Sequence, residues 1–224
     1  MRRRIAVVAA AVAVAGAGFG AYEYRHLSQI DAACQSVKDE LSQTGTLDKV
    51  SSGAEKVVVL GDSYAAGNGL ADRSQGWATL LGRAEGWDET VAAVGGTGFV
   101  NPGPCGGQTF AQRFSDPASL NPDLMVIEGG LNDAGSDPRD VQNAANSLLD
   151  RAYRIKNVIL VGPTNAPAMS NLPAIDHALA VAAKSHGRKY ISAIGWNLEF
   201  LPDRTHLTSE GHAIYANDLE AALR

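Results

Sequence analysis

Apolar segments of strand length alternate with helical segments along the chain, and this alternation restricts the fold more than any other feature. Val57-Val58-Val59-Leu60 is a continuous apolar run, which is typical of a strand covered on both faces. Strands separated by helices of crossover length form parallel sheets. The sequence therefore predicts an α/β fold, a flavodoxin-like three-layer α/β/α sandwich with a five-stranded parallel sheet. The predicted strands are 57–60, Glu89–Val94, Asp123–Glu128, Asn157–Val161 and Lys189–Ile194, and the predicted helices are Gln29–Gln43, Gly76–Gly86, Pro138–Ile155, Pro173–His186 and Ser209–Leu223.

Composition limits the size and class of the protein. The 224 residues suffice for one ordinary domain, and an apolar fraction of 45% allows a hydrophobic core. The 19 Lys and Arg residues against 24 Asp and Glu residues give a net charge of -5, so we expect no nucleic-acid partner, because such binding needs dense positive charge. Two cysteines are too few for a disulfide-framework miniprotein or a four-thiolate zinc site.

Residues 1–27 have the pattern of an export signal. Three arginines at positions 2–4 precede an uncharged stretch, Ile5–Tyr22, that is rich in Ala, Val and Gly. As a helix, this stretch would span about 27 Å, slightly less than the ~30 Å hydrocarbon layer of a bilayer. The segment is therefore either a cleaved signal peptide or an N-terminal apolar helix that anchors the chain in a membrane, and Tyr22 and Tyr24 favour the anchor. In both cases we expect the remaining chain to be extracytoplasmic, in the cell envelope or secreted.

The chain after this leader divides into two parts. Residues 28–55 are interpreted as a polar helix and a linker, and residues 56–224 as the α/β domain. Cys34 lies in the first part and Cys105 in the second. In an oxidising compartment they have one intramolecular pairing available, so the alternatives are a single disulfide and two unlinked thiols.

Four clusters of glycine and polar residues follow predicted strands or precede the last helix. They lie at residues 61–67, 94–98, 129–133 and 203–206. In sheets of this kind the ligand site lies beyond the carboxyl ends of the strands. We therefore expect the four clusters to meet at one edge of the sheet.

Together the clusters contain the groups that acyl transfer requires. Ser63 stands at a strand-to-helix turn and is the candidate nucleophile, which needs a neighbouring base to remove its proton. His206 is the candidate base, and Asp203, three residues earlier, can orient its imidazole. The candidate donors to the oxyanion of the tetrahedral intermediate are the backbone N–H groups of Ser63 and Gly96 and the side-chain amide of Asn132.

These clusters resemble the sequence blocks of the SGNH hydrolases, the GDSL-type esterase and lipase superfamily, and occur in the family's order. Gly-Asp-Ser-Tyr at 61–64 matches the first block, with Tyr64 in place of the commoner Leu. The second, third and fifth blocks are matched by Gly-Gly-Thr-Gly at 95–98, Gly-Leu-Asn-Asp at 130–133 and Asp-Arg-Thr-His at 203–206. The resemblance implies the SGNH hydrolase fold over nearly all of the exported portion.

The resemblance also implies roles for individual residues, namely a catalytic triad of Ser63, Asp203 and His206 and an oxyanion hole formed by Ser63, Gly96 and Asn132. The second block is the loosest match: Gly95 is an alternative to Gly96 as a donor, and the Asn that usually precedes this position in the family is absent here.

The predicted function is that of an extracytoplasmic serine esterase that hydrolyses O-acyl esters through an acyl-enzyme intermediate, with no metal and no organic cofactor. Expected substrates are a small acyl ester or an O-acylated glycan or lipid. We expect a monomer that contacts a membrane only through its N-terminal segment, if that segment is uncleaved. The alternatives are an acyltransferase acting on envelope glycans or lipids, and a catalytically inactive SGNH domain that binds carbohydrate.

Overall fold

The computed structural model describes residues 25–224. The predicted signal peptide or apolar anchor therefore lies outside the described residues, apart from positions 25–27. Those positions belong to a helix, α1, that covers residues 25–44. Among the residues described, no helix combines the length and the apolar character needed to cross a membrane.

Within residues 25–224, one six-stranded sheet forms the centre of the molecule. Its strands are β1 Asp48–Lys49, β2 Glu55–Gly61, β3 Trp87–Ala93, β4 Leu124–Glu128, β5 Asn157–Val161 and β6 Lys189–Ile191. The spatial order is β1-β3-β2-β4-β5-β6. Strands β2 to β6 pair in parallel, as the alternation of strands and helices predicts.

The prediction of a five-stranded, all-parallel sheet is wrong in one respect. Strand β1 adds a sixth strand at the edge, antiparallel to β3, with Asp48 opposite Val91 and Lys49 opposite Thr90. A two-residue polar strand has neither an apolar run nor an alternating pattern, so its pairing cannot be recognised from the sequence. The sheet is therefore mixed, and its antiparallel edge comes from the segment interpreted as a linker.

Helices cover both faces of the sheet and give the predicted three layers. After α1 they are α2 Ser63–Ala66, α3 Trp77–Ala84, α4 Phe110–Arg113, α5 Ser115–Ser119, α6 Pro138–Arg151, α7 Leu172–Ser185 and α8 Ser209–Leu223. Alternate residues of a strand face opposite sides of a sheet. Val57 and Val59 of β2 accordingly pack in the core that contains α3 and α8, whereas Val58 and Leu60 pack in the core that contains α6 and most of α7.

The three strands at the centre of the sheet end side by side. Gly61 at the end of β2 is paired with Ala93 at the end of β3, and Leu60 is paired with Ile127 near the end of β4. The segments that leave these strands therefore start at the same edge. They contain the first three of the four predicted clusters, which explains how residues distant in the chain become neighbours.

Candidate active site

A sharp turn at the end of β2 brings the chain into α2 at Ser63. The carboxylate of Asp62 caps this short helix by accepting the backbone N–H of Tyr64 at 2.9 Å. Glycine is required at position 61, because a Cβ there would lie 2.5 Å from the Cβ of Ala65. Ser63 is 4% exposed and is the first residue of the helix, where backbone N–H groups have no partner within the helix.

The loop after β3 passes beside Ser63. A Cβ at Gly95 would lie 3.8 Å from the Cβ of Ser63 and 2.7 Å from Nδ2 of Asn68. The neighbouring Gly96 has φ 76°, in the left-handed region that favours glycine. The absence of side chains thus lets this backbone approach the serine closely, and both glycines remain candidate donors.

The side-chain amide of Asn132 links the turn after β2 to the loop after β3. Its Nδ2 donates to Oδ2 of Asp62 at 3.0 Å and to the backbone carbonyl oxygen of Thr97 at 2.9 Å. Asn132 is half-buried, in the 3-10 turn Leu131–Asp133 that follows β4. Because an amide has two N–H donors and both are engaged, an oxyanion bound here would share one of them with the protein.

Asp133 anchors the loop that follows β3. Its fully buried carboxylate accepts the backbone N–H groups of Phe99, Val100 and Asn101 at 2.8, 3.1 and 2.9 Å. Burial raises the pKa of Asp133, although the three N–H groups act in the opposite direction. These bonds fix the chain just after Gly96, so the carboxylate positions the backbone of a candidate oxyanion donor.

His206 and Asp203 form a hydrogen-bonded pair on the loop before α8. Nδ1 of His206 lies 2.7 Å from Oδ2 of Asp203, whose Oδ1 accepts the backbone N–H groups of Thr205 at 2.9 Å and of His206 at 3.0 Å. Partial burial acts to raise the pKa of Asp203, but the hydrogen bonds outweigh it and the pKa is lowered. An ionised Asp203 therefore faces Nδ1, which leaves Nε2 of His206 as the nitrogen available for proton transfer.

Tyr64, the residue after Ser63, connects the two halves of the site. Its hydroxyl donates to the backbone carbonyl oxygen of Thr205 at 2.5 Å, next to His206 in the chain. Gly69, in the loop after α2, also lies against the histidine, because a Cβ there would be 3.6 Å from the Cβ of His206. This connection was not predicted from the sequence. The signal for it was Tyr64 itself, a hydroxyl-bearing residue where the first block usually has Leu.

Cys34 and Cys105 form a disulfide, so of the two alternatives the structure contains the bonded one. The bond joins α1 to the loop that follows Gly96, with the two Cα atoms 4.8 Å apart. Helix α1 is therefore attached beside the site, although the sequence separates it from the α/β domain.

A second imidazole near the site has a structural contact. His212, in α8, is buried, and its Nδ1 accepts the backbone N–H of Trp77 at 3.3 Å. Burial lowers the pKa of His212 to about 4, so this second imidazole is neutral at pH 7. In the part of the chain that the structure describes, no group of three or more His, Cys, Asp and Glu side chains is arranged to hold a metal ion.

Comparison with known proteins identifies the family of the chain. The family model for the GDSL-like lipase/acylhydrolase family matches residues 59–214. A GDSL lipase of Mycobacterium tuberculosis is 26% identical over 183 residues, which cover 73% of this chain and 79% of that protein.

Solved structures share the fold. A G-D-S-L family protein from Desulfitobacterium hafniense has a TM-score of 0.63 at 18% identity, over 75% of this chain and 99% of its own. The psychrotrophic esterase EstA from Pseudoalteromonas has a TM-score of 0.62 at 16% identity, over 76% of this chain and 97% of its own. With most of the chain matched by the family model, the protein belongs to the GDSL-like lipase/acylhydrolase family and is a carboxylic ester hydrolase.

Proposed function

We propose that the protein is an extracytoplasmic serine esterase in which Ser63, His206 and Asp203 act as a catalytic triad on O-acyl esters. The observation that carries the proposal is the 2.7 Å contact between His206 and Asp203 on a loop that is hydrogen-bonded to Tyr64, the residue next to Ser63. This arrangement supports a base whose tautomer is fixed by Asp203 and whose loop is tied to the residue next to the proposed nucleophile.

In the first half of the proposed reaction, Oγ of Ser63 attacks the ester carbonyl carbon while Nε2 of His206 takes the hydroxyl proton. The negative charge that forms on the carbonyl oxygen accepts hydrogen bonds from the N–H groups of Ser63 and Gly96 and from the amide of Asn132. When the tetrahedral intermediate collapses, the imidazolium returns its proton to the leaving alcohol, and the acyl group stays on Ser63.

In the second half, His206 removes a proton from water, whose oxygen attacks the acyl-enzyme carbonyl. When this second tetrahedral intermediate collapses, the acyl–Oγ bond breaks, the imidazolium returns its proton to Oγ of Ser63, and the carboxylic acid is released. Asp203 keeps its charge throughout and holds the imidazole by the Nδ1 hydrogen bond. No metal or organic cofactor enters these steps.

The proposal extends to location. The arginine cluster and apolar stretch of the first 22 residues support export. The disulfide between Cys34 and Cys105 supports an oxidising compartment, because disulfides form and persist there. We therefore propose that the enzyme acts in the cell envelope or outside the cell.

The proposal is tested by labelling and kinetics on the folded protein. A fluorophosphonate probe should form one adduct, at Ser63, and Ser63→Ala should abolish it. Ser63→Ala and His206→Ala should each lower kcat/KM for p-nitrophenyl acetate by about 10³-fold or more. Their melting temperatures should stay close to that of the wild type.

A second histidine–aspartate pair provides a matched control. Nε2 of His186, the residue that follows α7, lies 3.1 Å from Oδ1 of Asp150 in α6, away from the site. His186→Ala should leave turnover unchanged. Retained turnover in Ser63→Ala or His206→Ala would overturn the assignment.

A further inference from the structure

A polar cleft lies between α1 and the loop that follows α2, and the catalytic histidine proposed above forms part of its wall. Its volume is about 470 Å³, within the range of ~300–1,000 Å³ that is usual for ligand pockets. Helix α1 contributes Ser36, Asp39 and Gln43, and the loop contributes Asn68. The cleft was not predicted, because residues 28–55 were interpreted as a helix and a linker outside the α/β domain.

Helix α1 is held firmly at this position. The disulfide from Cys34 joins it to the loop after Gly96. Arg73 forms an ion pair with Glu40 of α1 at 2.9 Å and donates from Nε to the backbone carbonyl oxygen of Ala66, at the end of α2, at 2.8 Å. The wall of the cleft is therefore preformed, which reduces the entropy that binding must overcome.

The side chains in the cleft are able to bind hydroxyl groups. In the described part of the chain, the side chains of Ser36, Gln43 and Asn68 make no hydrogen bond with the protein, so their donors and acceptors are available to a ligand. Asp39 accepts a single side-chain bond, from Gln35 at 2.8 Å. Asn68 is half-buried with its Nδ2 against Gly95, so it marks the end of the cleft nearest to Ser63.

The contact with His206 relates the cleft to one part of an ester substrate. In the mechanism above, Nε2 of His206 gives its proton to the leaving alcohol, whereas the carbonyl oxygen faces Gly96 and Asn132. His206 lines the cleft, whereas Ser63, Gly96 and Asn132 do not. The alcohol portion of the ester therefore has a route into the cleft, and the acyl portion lies outside it.

We propose that this cleft is the leaving-group subsite and that it takes a neutral polyhydroxylated alcohol, a sugar unit of an O-acylated glycan. The proposal rests on the esterase function proposed above and names its substrate class. Hydroxyl groups match the unpaired amides and hydroxyl of the wall, and Leu70 is the single large apolar side chain among the residues that line it. Arg73 neutralises Glu40, so the remaining negative charge of the wall comes from Asp39, whose carboxylate disfavours an anionic leaving group such as a phosphorylated headgroup.

The test compares two acetyl esters that differ only in the alcohol, 6-O-acetylglucose and p-nitrophenyl acetate. In the double variant Ser36→Ala/Gln43→Ala, the ratio of kcat/KM for the sugar ester to that for the nitrophenyl ester should fall about tenfold or more, since each lost hydrogen bond to a neutral hydroxyl is worth about three- to tenfold. The loss should appear mainly in KM. The matched control is Ser28→Ala/Gln29→Ala, which removes the same two residue types from an exposed part of α1 outside the cleft and should leave the ratio unchanged.

Two results would overturn the proposal. One is an unchanged ratio in Ser36→Ala/Gln43→Ala, and the other is a wild-type preference for long-chain glycerol esters over 6-O-acetylglucose. In both cases the esterase function itself would stand, provided that p-nitrophenyl acetate is hydrolysed and that Ser63→Ala abolishes this hydrolysis. Failure of that basal reaction in the wild type would instead overturn both proposals.

Discussion

The two sides of the candidate active site are built differently. On the nucleophile's side, Asp62, Ser63 and Asp133 are buried, and carboxylates and an amide link the strand ends. On the base's side, the side chains of His206 and Asp203 are 31% and 48% exposed, on a loop outside the regular elements. The fold therefore fixes the candidate nucleophile and candidate oxyanion donors through its core, whereas the candidate base is held by a few hydrogen bonds near the surface.

The same contrast is visible in two aspartates. Asp133 and Asp203 both accept backbone N–H groups, three in the first case and two in the second. Burial raises the pKa of Asp133, whereas the hydrogen bonds prevail at the more exposed Asp203 and lower its pKa. Equivalent hydrogen bonds thus serve stability at Asp133 and the ionisation of the proposed catalytic carboxylate at Asp203.

The largest expected effect is on the base's side. Asp203→Asn replaces the charged partner of His206 by an amide that supports the wrong tautomer, so kcat for p-nitrophenyl acetate should fall by about 10³–10⁴-fold. Because the side chain is half-exposed, the melting temperature should change little. Stopped-flow or steady-state kinetics with a thermal melt check both parts, and a loss smaller than tenfold would remove Asp203 from the proposed triad.

An intermediate effect is expected on the nucleophile's side. Asp133→Asn places an amide N–H₂ among three backbone N–H donors in a buried site, which should reduce the free energy of unfolding by about 2–4 kcal/mol. For a protein of this length that corresponds to a melting temperature lower by about 5–10 °C. Turnover should fall as well, because the loop after Gly96 loses its anchor.

A matched Asp→Asn control lies at the start of α6. The carboxylate of Asp137 caps that helix by accepting the N–H of Arg139 at 2.8 Å, and asparagine caps helices about as well as aspartate. Asp137→Asn should therefore leave the melting temperature nearly unchanged. An equal fall in melting temperature in Asp133→Asn and Asp137→Asn would contradict the anchoring role of Asp133.

The smallest effect concerns a carboxyl group outside the site, where burial affects the stability of the protein and not its turnover. Glu89 in β3 is fully buried, neither of its oxygens has a hydrogen-bond partner, and burial raises its pKa from 4.5 to about 8. Between these values the folded protein keeps a proton that the unfolded chain has released, so stability falls as the pH rises through this window. Glu89→Gln should reduce the loss of stability between pH 5 and pH 8 by about 1–2 kcal/mol.

Melting curves at both pH values check this prediction, with the slope against pH as the readout. Turnover at pH 7 should be unaffected. Glu89→Gln should keep the part of the pH-dependent decline in stability that comes from Asp62, because burial also raises the pKa of Asp62. A Glu89→Gln slope identical to that of the wild type would show that Glu89 is ionised in the fold.

Most of the fold could be predicted, because its determinants are local. Strand β5 begins and ends as predicted and β4 differs by one residue, since a buried parallel strand is a continuous apolar run. Helix α6 begins at the predicted Pro138 because Asp137 caps it and proline suits the first turn. Strand β1 could not be predicted, because its pairing depends on a neighbouring strand and not on its own two polar residues.

The site was predictable only where its residues form motifs. The contact between Asp203 and His206 follows from their spacing of three residues, whereas the roles of these residues and of Ser63 remain predictions. Asn68 and the cleft along α1 were missed, because they depend on which loop Cys34 reaches, and a sequence does not contain the distance between two Cα atoms. Residues that act through a distant partner are thus the ones that sequence reasoning overlooks.

The crosslink between α1 and the loop after Gly96 also affects shortened forms of the protein. Trimming the chain to start after residue 46 deletes Cys34 and leaves Cys105, which is exposed, as a lone thiol. In air, two such chains would couple through this sulfur and migrate as a covalent pair on a non-reducing gel. The trimmed enzyme would also lose the wall of its proposed sugar cleft that α1 contributes. Its rates on small esters would therefore be a poor guide to the natural substrate.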